Sequence, residues 1–535
     1  MTKGTIVAAQ PEAAETGAVI LRAGGNVVDA AIASALVQGV VDPQQCGIAG
    51  FGSLQLYLPQ RGVHTCIDFH AKAPAATRPD MWEDLIEEET FDGFGFVLRG
   101  RVNDVGYQSI AVPGSLKAYY ETQLEFGTMP WSEIVAPAIA HAQAGVRVRP
   151  HMNMWWNLDD KSGRIPNRER MAFSKSGREI YFDDRAMPLA TGEILRNPDM
   201  VETLKRIAAH GADIFYEGDI AREMVADMQA NGGLITLEDL ASYRTSRYKP
   251  LTSSYRGLEL ATNRPPGGGM MLIEMLNVLE QFDLAQLGHN SADYIRIVAE
   301  AMKYATIDKD RFLGDPSFFD VPYDMLMGKP YAEEIAARIR NGEKASVERY
   351  AGNSESKYTT HVGVVDDAGN AVTMTHSLGT PSGVITEGLG FMYNGCMSVF
   401  DPRPSRAGSL APGKSRFSSI APSIVFQDSA PQIVIGAPGG TQIAMGILQV
   451  LLNIIDHGMS PVEAVYAPRF SGTYNTIEVC NRIPGYLTDD LRNEGYEIRR
   501  LAESYTFSGV HVIARNGSEW RGGADPGYDG VALTV

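Results

Sequence analysis

Residues 359–370 read TTHVGVVDDAGN, and residues 371–380 continue AVTMTHSLGT. Polar and apolar side chains alternate from Thr359 to Val365. The turn-forming run DDAGN follows at 366–370, and the alternation resumes from Ala371 to Ser377. Two alternating runs around an Asp/Gly/Asn turn predict a β-hairpin. A threonine pair opening such a strand is ordinary in itself.

Outward from the hairpin the texture differs on the two sides. Upstream, residues 341–357 (NGEKASVERYAGNSESK) are polar and read as an exposed connector. Before it, helical patterns span 11–23, 29–41, 132–144, 193–210, 219–231, 270–282 and 291–311. The segment 29–41 (DAAIASALVQGVV) is apolar on most faces, which suits a buried helix. A glycine loop then runs into an apolar strand at CGIAGFGSLQLYL. Downstream, strands are expected at 420–426 and 432–435, and Gly436-Ala437-Pro438-Gly439-Gly440 opens a helix from Thr441 to about Asp456. The class is α+β, helical in its first half and sheet-rich in its second.

With 535 residues, 44% of them hydrophobic, the chain can bury a large core in one bilobal unit. Its formal net charge is −17, and it has no Lys/Arg run able to track a phosphate backbone, so no nucleic-acid partner is expected. No segment has the apolar length of a membrane span, and the first residues (MTKGTIVAAQ) lack the apolar core of a secretory signal. A cytoplasmic protein without a membrane partner is the expectation. Cys46, Cys66, Cys396 and Cys480 are widely spaced and fit free thiols.

Several chemistries lack their motifs. There is no H-E-x-x-H, no G-x-x-x-x-G-K-[ST] and no G-x-S-x-G, and the ten histidines form no ligand-spaced cluster. No metal and no cofactor are expected.

The hairpin stretch resembles the start of the small subunit in the γ-glutamyltranspeptidase family. Matching motifs run along nearly the whole chain: LRAGGNVVDAAIA (21–33), AVPGS (111–115), PPGGG (265–269), EAMKYA (300–305) and LGDP (313–316). They continue with SSIAPSIV (418–425), APGG (437–440), APRF (467–470) and GADPGYDG (523–530). The number and order of these motifs make the resemblance specific. It implies an αββα sandwich of the N-terminal-nucleophile hydrolase type, made as one precursor and cut between Tyr358 and Thr359. Residues 1–358 would form a helix-rich large subunit that adds strands to the sandwich, and 359–535 the small subunit. The partners expected are these two subunits and a small amide substrate, with assembly left open between one protomer and a dimer.

The resemblance also implies site roles. Thr359 would be the nucleophile, its freed α-amine serving as base with a reference pKa of about 8. Ser377 takes the place of a second threonine hydroxyl beside it. Gly439 and Gly440 match the oxyanion-hole pair. Ser418 and Ser419 match the serines that bind substrate carboxylate.

The match breaks in the recognition pocket. The family holds the γ-glutamyl α-carboxylate with an arginine in a segment like DFREMAP. Here that segment is DFHAKAP, with His70 at the arginine position. A histidine cannot reproduce a bidentate guanidinium fork. The carboxylate that meets the substrate amine becomes Val399, an asparagine contact becomes Gly379, and the loop after it (TPSGVI) is about two residues shorter. Lys72 and Asp401 are the nearest compensating charges.

This profile resembles oxamate amidohydrolases: an intact catalytic set with an altered pocket, His70, Ser418 and Ser419 receiving the carboxylate of a small amide. An authentic γ-glutamyl hydrolase or transpeptidase is the alternative, and an uncleaved scaffold a third reading.

Overall fold

The computed structural model describes residues 2–535 except 91–94, 159–162, 349–357 and 506. The last nine residues of the expected connector therefore lie outside the described residues. Its first part, 341–348, is exposed except at Ala345 and Val347.

The hairpin forms as its alternation requires. Strand Thr360–Asp366 pairs antiparallel with Ala371–Ser377, with Thr360 opposite His376 and Val365 opposite Ala371. It lies inside a seven-stranded sheet. The strand order is 531–534, 4–8, 360–366, 371–377, 51–58, 63–68 and 246–248, all neighbours antiparallel. A second antiparallel sheet has the order 519–524, 511–516, 430–436, 423–427, 258–262 and 251–255.

The period of two sorts side chains between the faces of each sheet. Ile6, Val362, Val364, Val372 and Met374 face one way and pack against helices Pro11–Arg22 and Val27–Val41. Val7, Val365 and Ala371 face the other way and meet Ala261, Ile424, Phe426, Val434 and Ile513 of the second sheet. The far side of that sheet, through Leu260, Val425, Ile433, Ile435 and Val512, packs with helices Gly269–Leu279 and Ile443–Ile455. Helix Val27–Val41 is buried along its full length, as its all-round apolar composition demands. Its N-terminus is closed by a capping box in which Asn26 and Asp29 satisfy each other's backbone N–H groups.

Several expected boundaries differ, three of them for reasons visible in the hydrogen bonding. The helix expected from residue 193 begins at Pro198, because Asn197 caps the Met200 N–H and residues 194–195 are paired with 146–147. The strand expected from Ile420 begins at Ser423. The Ile420 carbonyl is already taken by Gly268 N–H and Asn263 Nδ2, and Pro422 has no N–H for a ladder. The helix expected from Thr441 starts at Ile443, after a 3-10 turn at Gly440–Gln442. All four cysteines are free and buried.

Candidate active site

The hairpin register decides which side chains meet. With Thr360 opposite His376, one step outward sets Thr359 beside Ser377. The Thr359 hydroxyl donates to Ser377 Oγ at 3.1 Å and lies in close contact with the carbonyl oxygen of Tyr358. Ser377 Oγ donates to that same carbonyl at 2.6 Å and accepts the Gly379 N–H at 2.7 Å. Gln45 Oε1 accepts the Thr359 N–H at 2.9 Å. A hydroxyl, a polarised carbonyl and a second hydroxyl thus surround one peptide bond. Thr359, Ser377 and Tyr358 are all buried, and the Tyr358 ring lies near Trp155.

Beneath this bond a polar network fixes the start of the strand. Gln38 Nε2 donates to Thr360 Oγ1 at 2.8 Å and to Gln10 Oε1 at 2.7 Å. His376 Nε2 meets Gln38 Oε1 at 2.8 Å, and Tyr119 Oη meets His376 Nδ1 at 2.6 Å. Burial lowers the His376 pKa to about 3, so the ring is neutral, with Tyr119 donating to Nδ1 and Nε2–H donating to Gln38. Gln10 Nε2 continues to Asp42, whose carboxyl is pushed up to about 6 by burial despite the nearby Arg149. Gln10, Gln38 and Gln45 carry no motif signal; only the packing of their helix and loops against the hairpin reveals them.

Gly439 and Gly440 follow the strand Ala430–Gly436 with φ of 142° and 57°, values that favour glycine. They lead through the 3-10 turn into helix Ile443–Ile455. Among the described residues no hydrogen bond links them to Thr359.

The residues expected to bind substrate come together around His70, whose ring lies 5.5 Å from that of Phe51, the strand partner of Ser377. His70 Nε2 lies 2.6 Å from Ser418 Oγ, and His70 Nδ1 lies 2.9 Å from both carboxylate oxygens of Asp68. Ser419 is buried, and its hydroxyl meets no hydrogen-bond partner among the described residues. The sequence had pointed to His70, Ser418 and Ser419; Asp68, two residues before His70, is the partner it left unread.

The other expected residues are engaged elsewhere. Lys72 Nζ donates to the Arg244 carbonyl at 3.2 Å. The Asp401 carboxylate is held by the Arg403 guanidinium through two bonds of 2.8 Å. Val399 and Asp401 line a cavity of about 450 Å³ together with Lys309, Arg311, Arg403 and Phe417. Arg416 was also unread. Its guanidinium stacks 4.3 Å above the Phe51 ring, and a Cβ added at Gly379 would meet Arg416 Nη2 at 3.0 Å.

Comparison with known proteins fits this arrangement. The family model described as gamma-glutamyltranspeptidase matches residues 13–535. The acylase ACY 1 proenzyme of Pseudomonas sp. (strain SE83) is 36% identical over 518 residues, 96% of this chain and 90% of that protein. The glutathione hydrolase proenzyme of Escherichia coli (strain K12) is 35% identical over 489 residues, covering 88% and 80%. Among solved structures, a cephalosporin acylase from Bacillus halodurans has a TM-score of 0.87 at 27% identity, covering 99% of this chain and 96% of that one. Fold and site together define a hydrolase or acyltransferase of the N-terminal-nucleophile class. Within that class the chain belongs to the gamma-glutamyltranspeptidase family.

Proposed function

We propose that this protein is a self-cleaving amidohydrolase in which Thr359 is the nucleophile. The observation behind this reading is the contact of Thr359 Oγ1 with the Tyr358 carbonyl and with Ser377 Oγ. In the precursor the Thr359 hydroxyl attacks the Tyr358 carbonyl carbon, and Ser377 stabilises the developing oxyanion by the bond it already donates. The C–N bond breaks as the nitrogen takes up the hydroxyl's proton, freeing the Thr359 amine and leaving Tyr358 as an ester on Oγ1; water then opens that ester to the Tyr358 carboxylate and the Thr359 hydroxyl. That amine keeps Gln45 Oε1 as its acceptor and serves as base when Thr359 attacks a substrate amide. Gly439 and Gly440, in a backbone conformation that presents N–H groups, receive the substrate oxyanion. In this reading the two sheets with helices on their outer faces make an αββα sandwich, with 1–358 and 359–535 as its subunits.

The substrate in this reading is a small amide bearing a carboxylate, with Ser419 and the His70–Ser418 pair receiving that carboxylate. The names of the Pseudomonas and Bacillus halodurans relatives support an acylase-type reaction. The second reading, a γ-glutamyl hydrolase, draws on the relatives called glutathione hydrolase. Against it, Val399 offers a substrate ammonium group no acceptor of its own. The nearby Asp401 is already bound to Arg403.

The test is the denatured mass of the wild type beside Thr359→Ala. Two fragments divided before Thr359 in the wild type alone, with an uncut and inactive variant, are expected. An active Thr359→Ala enzyme would sink the mechanism. Turnover of γ-glutamyl-p-nitroanilide separates the two substrate readings: slow hydrolysis favours the altered pocket, and brisk hydrolysis with a low KM favours the γ-glutamyl reading.

A further inference from the structure

Helix Ile443–Ile455 starts from the Gly439–Gly440 turn, and its far end, about 20 Å away at 1.5 Å per residue, carries a second group of polar side chains. His457 lies just past that end, with its N–H on the Leu452 carbonyl at 3.2 Å. His289 sits in the turn before helix Ala292–Phe312, between Gly288 and Asn290, whose φ of 80° and 57° are left-handed. Asn290 Nδ2 ties this turn to the Pro468 carbonyl at 2.7 Å. The two imidazoles come from distant parts of the chain, and their ring centroids lie 5.3 Å apart.

Three buried polar atoms border this pair without a hydrogen-bond partner among the described residues: His457 Nε2, Tyr294 Oη and Asn453 Oδ1. The Tyr294 ring lies 5.5 Å from His457 and 6.0 Å from His289. Asn453, in the last turn of its helix, faces the His289 ring and is fixed by its Nδ2 bond to the Ala464 carbonyl at 3.1 Å. Buried polar atoms left unpaired are costly, and a bound ion with its water relieves that cost. Burial, then the neighbouring His457, lowers the His289 pKa to about 4, and burial lowers His457 as well. Both rings are therefore neutral at pH 7, the form that offers a metal its nitrogen lone pair. They are only half-buried, so an ion can enter.

The spacing also fits. Two imidazole nitrogens, each about 2.0–2.1 Å from one ion and set at a tetrahedral angle, put their ring centroids about 5 Å apart. Asp456 adds negative charge beside His457, while its carboxylate oxygens are held by Tyr255 Oη at 2.8 Å and Arg256 Nε at 3.0 Å. Among the described residues no three His, Cys, Asp or Glu side chains are grouped for a metal, so the oxygen donor here is an amide.

We propose that His289 and His457 bind one divalent transition-metal ion of the zinc, nickel or copper class. The Asn453 side-chain oxygen is the third donor, and water held by the Tyr294 hydroxyl completes the shell. The ion clips the turn before helix Ala292–Phe312 to the end of helix Ile443–Ile455. In the Thr359 reading the two histidines fall in different subunits, and the ion then joins them.

The experiment strips wild type and Thr359→Ala with a chelator, titrates Zn²⁺ by calorimetry and uses Co²⁺ as the spectroscopic probe. One saturable site per chain is expected in both proteins, with a visible Co²⁺ ligand-field band and a Tm that rises with free Zn²⁺. His289→Ala and His457→Ala should each abolish the band. They should weaken binding by more than the about 10–100-fold typical of losing an outer-shell partner. Tyr294→Phe keeps the packing and guards against misfolding; it should weaken binding by about 10–100-fold while the band remains. The absence of a saturable site, or equal binding by wild type and His289→Ala, overturns the proposal. Because Thr359→Ala is measured alongside, failure of self-cleavage in the wild type would strike the Thr359 reading and leave the metal result standing.

Discussion

Thr359 and Ser377 lie eighteen positions apart in the chain, and the antiparallel register brings their hydroxyls to 3.1 Å. Ser377 both accepts from the Thr359 hydroxyl and donates to the Tyr358 carbonyl, so under the proposed mechanism its removal acts on the bond to be cut. Ser377→Ala is expected to slow precursor cleavage about 10²–10³-fold, the usual loss on removing one oxyanion donor. Time-resolved gel analysis of freshly folded protein measures this, and unchanged cleavage would remove Ser377 from the site. These residues were legible through the resemblance carried by the ordered motifs along the chain, since a threonine pair opening a strand is ordinary in itself. Asp68 was not legible as a partner of His70. An Asp two residues before a His is common, and only the turn after the strand aims one at the other.

At the level of elements, the hairpin and the strand Ala430–Gly436 face each other across the two sheets. His361 projects between them, its Nδ1 2.9 Å from Thr375 Oγ1, and a Cβ added at Gly436 would meet the ring at 2.2 Å. Burial, aided by the neighbouring His511 and His376, pushes the His361 pKa well down, so the ring is neutral in this space. Past that strand, Gly439 has φ of 142°, and an added Cβ would lie 2.6 Å from the Ser508 backbone. Gly439→Ala is therefore expected to destabilise the fold by about 1–3 kcal/mol through overpacking and to depress turnover by re-aiming the turn. Thermal unfolding and single-turnover assays check the two effects, and an unperturbed variant would show that this turn is dispensable. Element type was readable from period and turn residues. Boundaries at 198, 423 and 443 were not, because they depend on who takes particular carbonyls and N–H groups.

Across the whole molecule, residues 1–358 and 359–535 each contribute strands to both sheets. Strand Thr360–Asp366 lies between strand Gly4–Ala8 of the first segment and its own hairpin partner. Cutting the chain before Thr359 leaves this pairing intact, so the fragments should co-elute by size exclusion and separate only in denaturant. Separation under native conditions would contradict the interleaving. The same burial sets the response to acid. His151, His376 and His511 have pKa values lowered to about 3, while the unfolded chain protonates them near 6.5. Their stabilising contribution is complete above 6.5 and is lost as pH falls toward 3, because only the unfolded state takes up the protons. Asp42, raised to about 6, works the other way, its contribution being lost as pH rises through 6. Three histidines outweigh one carboxyl, so Tm should be lower at pH 5 than at pH 7.5 by differential scanning calorimetry. An equal or higher Tm at pH 5 would show that these rings are protonated in the fold.

The sequence by itself determined the hairpin, a buried helix expected at 29–41, the family and the candidate residues, because periodicity, turn chemistry and ordered motifs are properties of neighbours in the chain. Only the tertiary structure decided that Gln45 meets the Thr359 N–H, that Asp401 is occupied by Arg403, and that His70 joins Asp68 to Ser418. Those pairings span up to 348 positions. They are fixed by how sheets and loops pack, which no local pattern encodes.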